Sequence, residues 1–562
     1  MHGRTMTSVD GPGSDPAIGS PLQVPIFRAV LFATVLSNFG ALIQSVGAAW
    51  LMVSMVPSPQ MVALVQASTT LPFTVLALIA GAFADSFDRR KVMLCAQLAM
   101  WSLSIALSAL TWAGWMSPWL LLCFTFLLGC GTAMHGPAWQ SAVGDMVPRP
   151  HLPSAIAYNS AGFNLARSIG PAIGGALVAA AGAAAAFLVN ALSYVALILV
   201  LWRWEPPVKT SSLPRERLDV AISAGVSYVW MSPHLRTIMT RAGLFGLTAS
   251  AVSALMPLIA RDLMGGGAAT YGVLLGAFGV GAVVGAIGNT KLRRRFSAEL
   301  IARLGGMLLG AGAILTAVSP HIGITAVSLL FAGVGWMLTL STFNISVQLA
   351  SPRWVAARAV SIYQMIAFGM MAVGAWLIGL IAEHNGVATA LLIAGTAQLL
   401  TVLSGLVLPL PAVQDLNLDP LRLWTEPATA VPIESRSGPV VITIEYRIAS
   451  DKVLAFLTVM GERRRIRRRD GAHGWTLLRD LHDPELWIER YHFATWADYL
   501  RHNQRRTQAD AENIAMLQQL QKNGEPLRVH RMLERQTGTL PAARRSDPPI
   551  VADPNVDPTR SS

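Results

Sequence analysis

Along most of this chain, apolar residues run for about twenty positions or more before a short polar break interrupts them. Such runs can be read at residues 27–55, 60–84, 92–113, 118–141, 154–180, 184–202, 235–260, 268–289, 298–319, 321–346, 355–382 and 386–408. Each approaches the roughly 20 residues that cross a bilayer as a helix, and hydrocarbon admits only segments that satisfy their own backbone hydrogen bonds. The pattern predicts twelve transmembrane helices. Charge avoids this region and collects beyond it: 29 charged residues fall in the 356 positions from Arg28 to Glu383, against 30 in the 96 from Val440 to Arg535. The formal charge of +12 therefore averages a membrane part with a soluble tail, and no nucleic acid is needed to explain it.

Lys and Arg mark alternate connections between the runs: Arg89, Arg90 and Lys91; Arg149; Arg203, Lys209, Arg215 and Arg217; Lys291, Arg293, Arg294 and Arg295; Arg353 and Arg358. The intervening connections are nearly bare, broken only by Arg261 with Asp262 and by Glu383. The positive-inside rule then puts both termini in the cytoplasm. Cys95, Cys123 and Cys130 lie in apolar segments without paired spacing, which reads as packing rather than disulfide or metal chemistry. No Gly-x-x-x-x-Gly-Lys-Ser/Thr loop occurs, so an intrinsic ATP motor is unsupported; no cofactor and no metal are expected.

The chain also repeats itself. Gly81-Ala-Phe-Ala-Asp85-Ser-Phe-Asp88-Arg89-Arg90-Lys91 matches Gly285-Ala-Ile-Gly-Asn289-Thr-Lys-Leu-Arg293-Arg294-Arg295 at a displacement of 204 positions, which also carries Gly129, Gly131, Gly170, Gly175 and Gly182 onto glycines and Pro148-Arg149 onto Pro352-Arg353. Two parallel six-helix halves are the economical reading. The first of these loops resembles the loop signature of the major facilitator superfamily, departing from it at Ser86, where a basic residue is usual, and at Asp88, where glycine is usual. The segment Ala166-x-x-x-Gly170-Pro171-x-x-Gly174-Gly175 is similar to that superfamily's antiporter signature, a helix-packing motif. The resemblance covers roughly residues 25 to 410 and points to the enterobactin-exporter-like subgroup. It implies alternating access, proton-coupled antiport and export of a small amphipathic molecule of the siderophore or drug class.

Beyond Leu408 a proline-studded stretch reads as a linker. Val440 to Ile448 then reads as a strand, Asp451 to Arg469 as a helix, Gly474 to Arg479 and Trp487 to Phe493 as a strand pair, Thr495 to Leu520 as a helix, and Val529 to Leu533 as a last strand. That order is ferredoxin-like. Its Trp475, Thr495-Trp496 and His502 resemble the small dimeric domains of the antibiotic-biosynthesis-monooxygenase type, in which His473, Trp475, His492 and Trp496 are pocket candidates. Packing is the competing account of all four. Arg463, Arg464, Arg465, Arg467, Arg468 and Arg469 form a basic run suited to anionic lipid headgroups or to a solvated helix face.

The expected fold is thus an all-α membrane protein of the major facilitator type with a small α+β ferredoxin-like domain at its C-terminus. Its parts are a disordered N-terminus (1–24), a six-helix half (25–202), an inter-half loop (203–234), a second half (235–410), a linker (411–438), the ferredoxin-like domain (439–535) and a disordered end (536–562). Arg167, roughly 20 Å into its span at 1.5 Å per residue, is too deep to reach water easily and is expected to face a cavity or a partner. Asn159 and Asn164 share its helix face, and Asn38, Gln44, Arg241 and Gln364 are further mid-depth candidates for a substrate cavity. In the loop signature, Gly81, Asp85, Arg89, Arg90, Asp145 and Arg353 form a candidate gate: Asp85 capping the eleventh span near Arg353, Arg89 reaching Asp145 and the contacts locking the outward-facing state, unless these residues serve topology alone. Expected partners are a small-molecule substrate and the bilayer of the bacterial inner membrane, with dimerisation through the tail left open. An exporter fused to a substrate-modifying enzyme and a non-transporting sensor remain rival readings. A reporter fused after Arg535 is expected to be active only on the cytoplasmic side; activity on the outer face alone overturns the charge reading.

Overall fold

The computed structural model describes residues 20–534 except 87, 149–150, 206–217, 353, 412–426, 428, 505–506 and 523–526. Most of the expected disordered ends, much of the linker, Arg353, and the side chains at Gly81 and Asp85 lie outside the described residues. The chain divides into two units, Met1–Leu416 and Asn417–Ser562.

The first unit is helical: α1 (Pro25–Met55), α2 (Pro59–Ser86), α3 (Arg89–Trp112), α4 (Pro118–Met146), α5 (Leu152–Arg203), α6 (Leu218–Met231), α7 (Pro233–Leu258) with a π-helical extension Ile259–Leu263, α8 (Ala268–Leu292), α9 (Ala298–Val318), α10 (Ile322–Leu349), α11 (Ala356–Asn385) and α12 (Val387–Val407). Proline at the first helical position, where its missing N–H costs nothing, opens α1, α2, α4 and α7. Side-chain caps start others: Asp88 accepts from the Arg90 N–H and Ser297 from the Leu300 N–H. Among the described residues ten segments are long and apolar enough to cross a membrane.

One of those ten, Ser154–Arg203, merges what the hydrophobic pattern separates into runs at 154–180 and 184–202. Only Gly182, at φ 78° and ψ 173°, leaves the helical region. The alanine-rich flanks are the reason: Ala179 to Ala181 and Ala183 to Ala186 are the strongest helix formers, so helix runs up to the glycine and resumes after it. Displaced by 204 positions, Gly386 has φ 84° and ψ 161° and separates α11 from α12 in the same way. Other repeat-related glycines make equivalent contacts. Gly129 brings α4 against α2 at Thr69 and Pro72, as Gly333 brings α10 against α8 at Phe278; Gly170 meets α1 at Leu42, as Gly374 meets α7 at Leu247. The loop expected between the halves is not all loop, since it contains α6.

The second unit has β1 (Val440–Arg447), α13 (Val453–Arg469), β2 (His473–Arg479), β3 (Leu486–Phe493), α14 (Trp496–Gln504), α15 (Gln508–Leu520) and β4 (Arg528–Leu533). The sheet order is β2-β3-β1-β4 with every pair antiparallel. The single helix expected from Thr495 to Leu520 is two. α15 starts afresh at Thr507, whose hydroxyl and N–H both bond Asp510 in a capping box.

The arginine run is corrected as well. Arg463 and Arg467 are 4% and 1% exposed, because they follow Phe456 and Met460 along the buried face of α13. They meet Glu489 of β3, itself 0% exposed: Arg467 Nε donates to its Oε1 at 3.1 Å, Tyr446 O–H to Oε2 at 2.8 Å and Trp475 Nε1 to Oε1 at 3.0 Å. Arg469 pairs with Asp470 and Asp510. Arg464 and Arg468 are exposed and Arg465 pairs with Glu462, so only part of the run faces outward. His492 alternates with Glu489 and Tyr491 along β3 and lies across the sheet from the Trp475 indole, so the four pocket candidates do not converge.

Burial opposes ionisation of Glu489, but Arg467 and Arg463, with the Trp475 and Tyr446 hydrogen bonds, hold its carboxyl down at about 2. A folded-state value below the unfolded one makes its contribution fully present above the ordinary carboxylate range, and it is lost as pH falls through about 2. Glu489→Gln leaves buried arginines unpaired and is expected to cost the tail about 3 kcal/mol. Pepsin cleavage of the full-length chain checks both: wild type should open between Val440 and Leu533 only near that acid limit, the variant at distinctly higher pH.

Candidate substrate cavity

The helices of the first unit enclose a cavity of about 380 Å³. Its wall takes residues from α1, α2, α4, α5, α7, α8, α10 and α11. Two helix pairs bring the N-terminal set (α1–α5) against the C-terminal set (α7–α12). In the first, α5 crosses α8 with backbones almost touching: a Cβ on Gly175 would stand 2.7 Å from Gly272 Cα. In the second, Thr74 of α2 donates to the Met365 carbonyl of α11 at 3.3 Å, and Gly379 of α11 lies against Gln60 and Ala63.

Both sets of contacts favour one end. Gly175, Gly272, Gln60 and Gly379 lie toward the end whose connections are nearly bare of Lys and Arg. Toward the basic end, among the described residues, α5 and α8 carry exposed apolar side chains. Ile156, three turns before Arg167 on α5, is 53% exposed, and Ile287, three turns after Gly276 on α8, is 64% exposed. The glycine contacts close the cavity at the nearly bare end.

Arg167 lies in its wall, with the guanidinium carbon 4.1 Å from the centre of the Trp336 ring of α10. A cation over an indole face is attracted by the ring quadrupole, more so when desolvated. Among the described residues no carboxylate pairs with Arg167. Its position follows from its neighbours: Gly170 and Gly174 let α5 press on Leu42 and Ile43 of α1, and a Cβ on Gly279 would strike the Arg167 carbonyl. Small residues on both sides leave this arginine only the cavity and the tryptophan.

Gln44 also lines the cavity and is held from behind. Asn190 Nδ2 and Ser104 O–H donate to Gln44 Oε1 at 2.6 and 2.8 Å, and Asn190 Nδ2 donates to Tyr194 O–H at 3.2 Å. With its carbonyl oxygen taken twice, Gln44 has its amide N–H groups left for the cavity. The other candidates are elsewhere. Asn38 and Gln364 are partly buried outside the wall, Asn164 lends its carbonyl to Ser168, and Asn159 Oδ1 is buried without a partner. Arg241 is 4% exposed in an ion pair with Glu299, which also bonds Arg303 and the Leu410 N–H near the ends of α9 and α12. Expected at mid-depth in the cavity, it serves packing of the C-terminal set instead.

Of the candidate gate, Arg89 Nη1 donates to Asp145 Oδ2 at 2.7 Å, joining α3 to α4 within the N-terminal set, and Arg90 donates to the Leu201 and Trp202 carbonyls. Trp336, Tyr194 and Asn190 escaped the sequence reading. The repeat held a signal for the first: Thr132 and Trp336 are 204 positions apart, as are Arg167 and Met371, and all four line the cavity.

A cavity between two repeat-related sets of membrane-spanning helices is the architecture of a transporter. A sequence profile of the transmembrane secretion effector family matches residues 17–538. The chain belongs to this family of major facilitator transporters, and is a multi-pass membrane transporter rather than an enzyme. It is 26% identical over 407 residues to the multidrug efflux pump Tap of Mycobacterium tuberculosis, covering 70% of this chain and 94% of that protein. It is 22% identical over 362 residues to the staphyloferrin A transporter of Staphylococcus aureus, covering 64% and 90%. In fold it resembles an inward-facing, unoccupied bacterial homologue of the human lysosomal transporter Spinster, with a TM-score of 0.55 at 15% identity, covering 69% of this chain and 96% of that one.

The network behind Gln44 leaves no room at Gly40, where a Cβ would stand 2.2 Å from Ser193 Oγ and 2.7 Å from Asn190 Oδ1. Gly40→Ala is expected to cost roughly 1–3 kcal/mol by overpacking, read as a lower melting temperature of the detergent-solubilised chain. Adding Ser193→Ala should recover part of the loss; a Gly40→Ala chain as stable as wild type disproves the tight approach.

Proposed function

We propose that this protein exports a small amphipathic molecule of the siderophore or drug class across the bacterial inner membrane by alternating access, with a proton gradient as the driving force. The observation that carries the proposal is the cavity itself, whose wall combines one unpaired guanidinium, stacked on Trp336, with aromatic and apolar surface. Such a wall suits a ligand with an anionic or phenolic end and an apolar body. The names of the relatives, a multidrug pump and a siderophore transporter, fall in the same range. In this reading the chain crosses the membrane twelve times in two six-helix halves, with Gly182 and Gly386 as the tightest turns. Both termini face the cytoplasm, so the cavity opens inward, where an exporter collects its cargo. Asp85, Arg353 and the Arg89–Asp145 pair then act at the cytoplasmic gate.

The tail adds a ferredoxin-like domain, whose strand order it has. Its outward arginines, Arg464, Arg465 and Arg468, are placed to meet anionic headgroups, and pairing of two tails remains part of the same reading.

Accumulation of a candidate substrate in cells with and without the protein, before and after collapse of the proton gradient, tests export. Arg167→Lys keeps the charge but loses the planar fork and its stacking. It is expected to lower transport at unchanged membrane abundance, and Arg167→Gln to lower it further. Wild-type transport in both variants removes Arg167 from the binding site.

A further inference from the structure

The closed end of the cavity carries a contact of a different kind from the glycine packing around it. Glu383, near the C-terminal end of α11, reaches across to the N-terminal set: its Oε2 accepts from Ser58 O–H at 2.6 Å and from the Gln60 N–H at 3.1 Å. These groups are the start of α2. Ser58 Oγ simultaneously accepts the Met61 N–H at 3.3 Å, so its capping bond turns its hydroxyl proton toward Glu383. The Gln60 N–H is one of the donors that a helix start cannot satisfy internally.

A second charge grips the same hairpin from the other side. The π-helical turn after α7 carries Arg261, whose Nε and Nη2 donate to the neighbouring Asp262 carboxylate at 2.5 and 3.1 Å and whose Nη1 donates to the Val53 carbonyl in the last turn of α1 at 3.3 Å. The two charges match the two helix ends. A carboxylate sits at the positive start of α2 and a guanidinium at the negative end of α1, each the favourable partner for its terminus. The donors and acceptors of the α1–α2 hairpin are thus completed by the C-terminal set. Among the described residues the α5–α8 seal has no such pair, and its glycine backbones fill the space.

We infer that Glu383 and Arg261 form an electrostatic clasp on the α1–α2 hairpin that holds the bare end of the transporter shut and sets how often it opens. The inference rests on the alternating-access reading. Magnitude fits the role. Partly exposed charges at helix ends are weak contacts, enough to bias two states and too little to trap one. When the end opens, water replaces each contact, so the clasp re-forms without a large barrier.

The test reads distance rather than transport. In a chain with Cys95, Cys123 and Cys130 replaced by serine, spin labels at Ala113→Cys and Gly323→Cys, exposed positions at the bare ends of the two sets, report the separation by pulsed electron resonance in lipid nanodiscs. Glu383→Ala and Arg261→Ala are each expected to raise the open-to-closed ratio about threefold and together about tenfold. Glu383→Gln, which keeps a hydrogen-bonding group, should fall between wild type and Glu383→Ala. Ser58→Ala, a smaller change should Glu383→Ala not fold, should raise the ratio about twofold. Distance distributions unchanged in every variant overturn the clasp. Failure of the wild type to move any substrate leaves the distances readable and counts against the export reading alone.

Discussion

Backbone groups in hydrocarbon have no water to turn to, so each helix of the first unit must satisfy itself, and two helix sets can meet only through side chains or bare backbone surface. The rest of the molecule follows from how this is solved. Where α5 crosses α8, Gly175 and Gly272 remove the side chains altogether, and dispersion between backbones does the holding. Where α2 meets α11, the solution changes from Thr74 at mid-depth to Glu383 at the end. These contacts close one end of the cavity.

Charge is handled differently in the two units. In the tail, Glu489 is fully buried yet surrounded by arginine, tyrosine and tryptophan donors, so its ionised form is the stable one. Arg241 and Glu299 show the same solution among the helices. Arg167 departs from it, with an aromatic face in place of a counter-charge. The cation–π contact keeps that arginine oriented without neutralising it.

The succession of apolar helices, the repeat and the order of strands and helices along the tail were legible because they rest on period and composition, which are local. Arg167 was legible because a charge deep in an apolar run is conspicuous. What escaped needed a partner distant in sequence. Arg241 looked like Arg167 until Glu299, on another helix, claimed it. The arginine run looked like a solvated stripe, although the spacing Phe456, Met460, Arg463, Arg467 follows a buried face and hinted at a counter-charge inside. Glu383 was visible only as an exception to the charge pattern, and nothing in the chain announces that Ser58 and Gln60 lie beside it.

Gly182 and Gly386 turn the chain from one helix into the next in a single residue, without a loop. Seen from the bare end, the protein therefore offers a protease or an antibody almost no slack chain to bind. The turn from Ala113 to Ser117, with Trp112, Trp115 and Trp119 exposed beside it, is a longer target there, and those indoles suit the bilayer interface. A surface this sparse is hard for a binding protein to recognise.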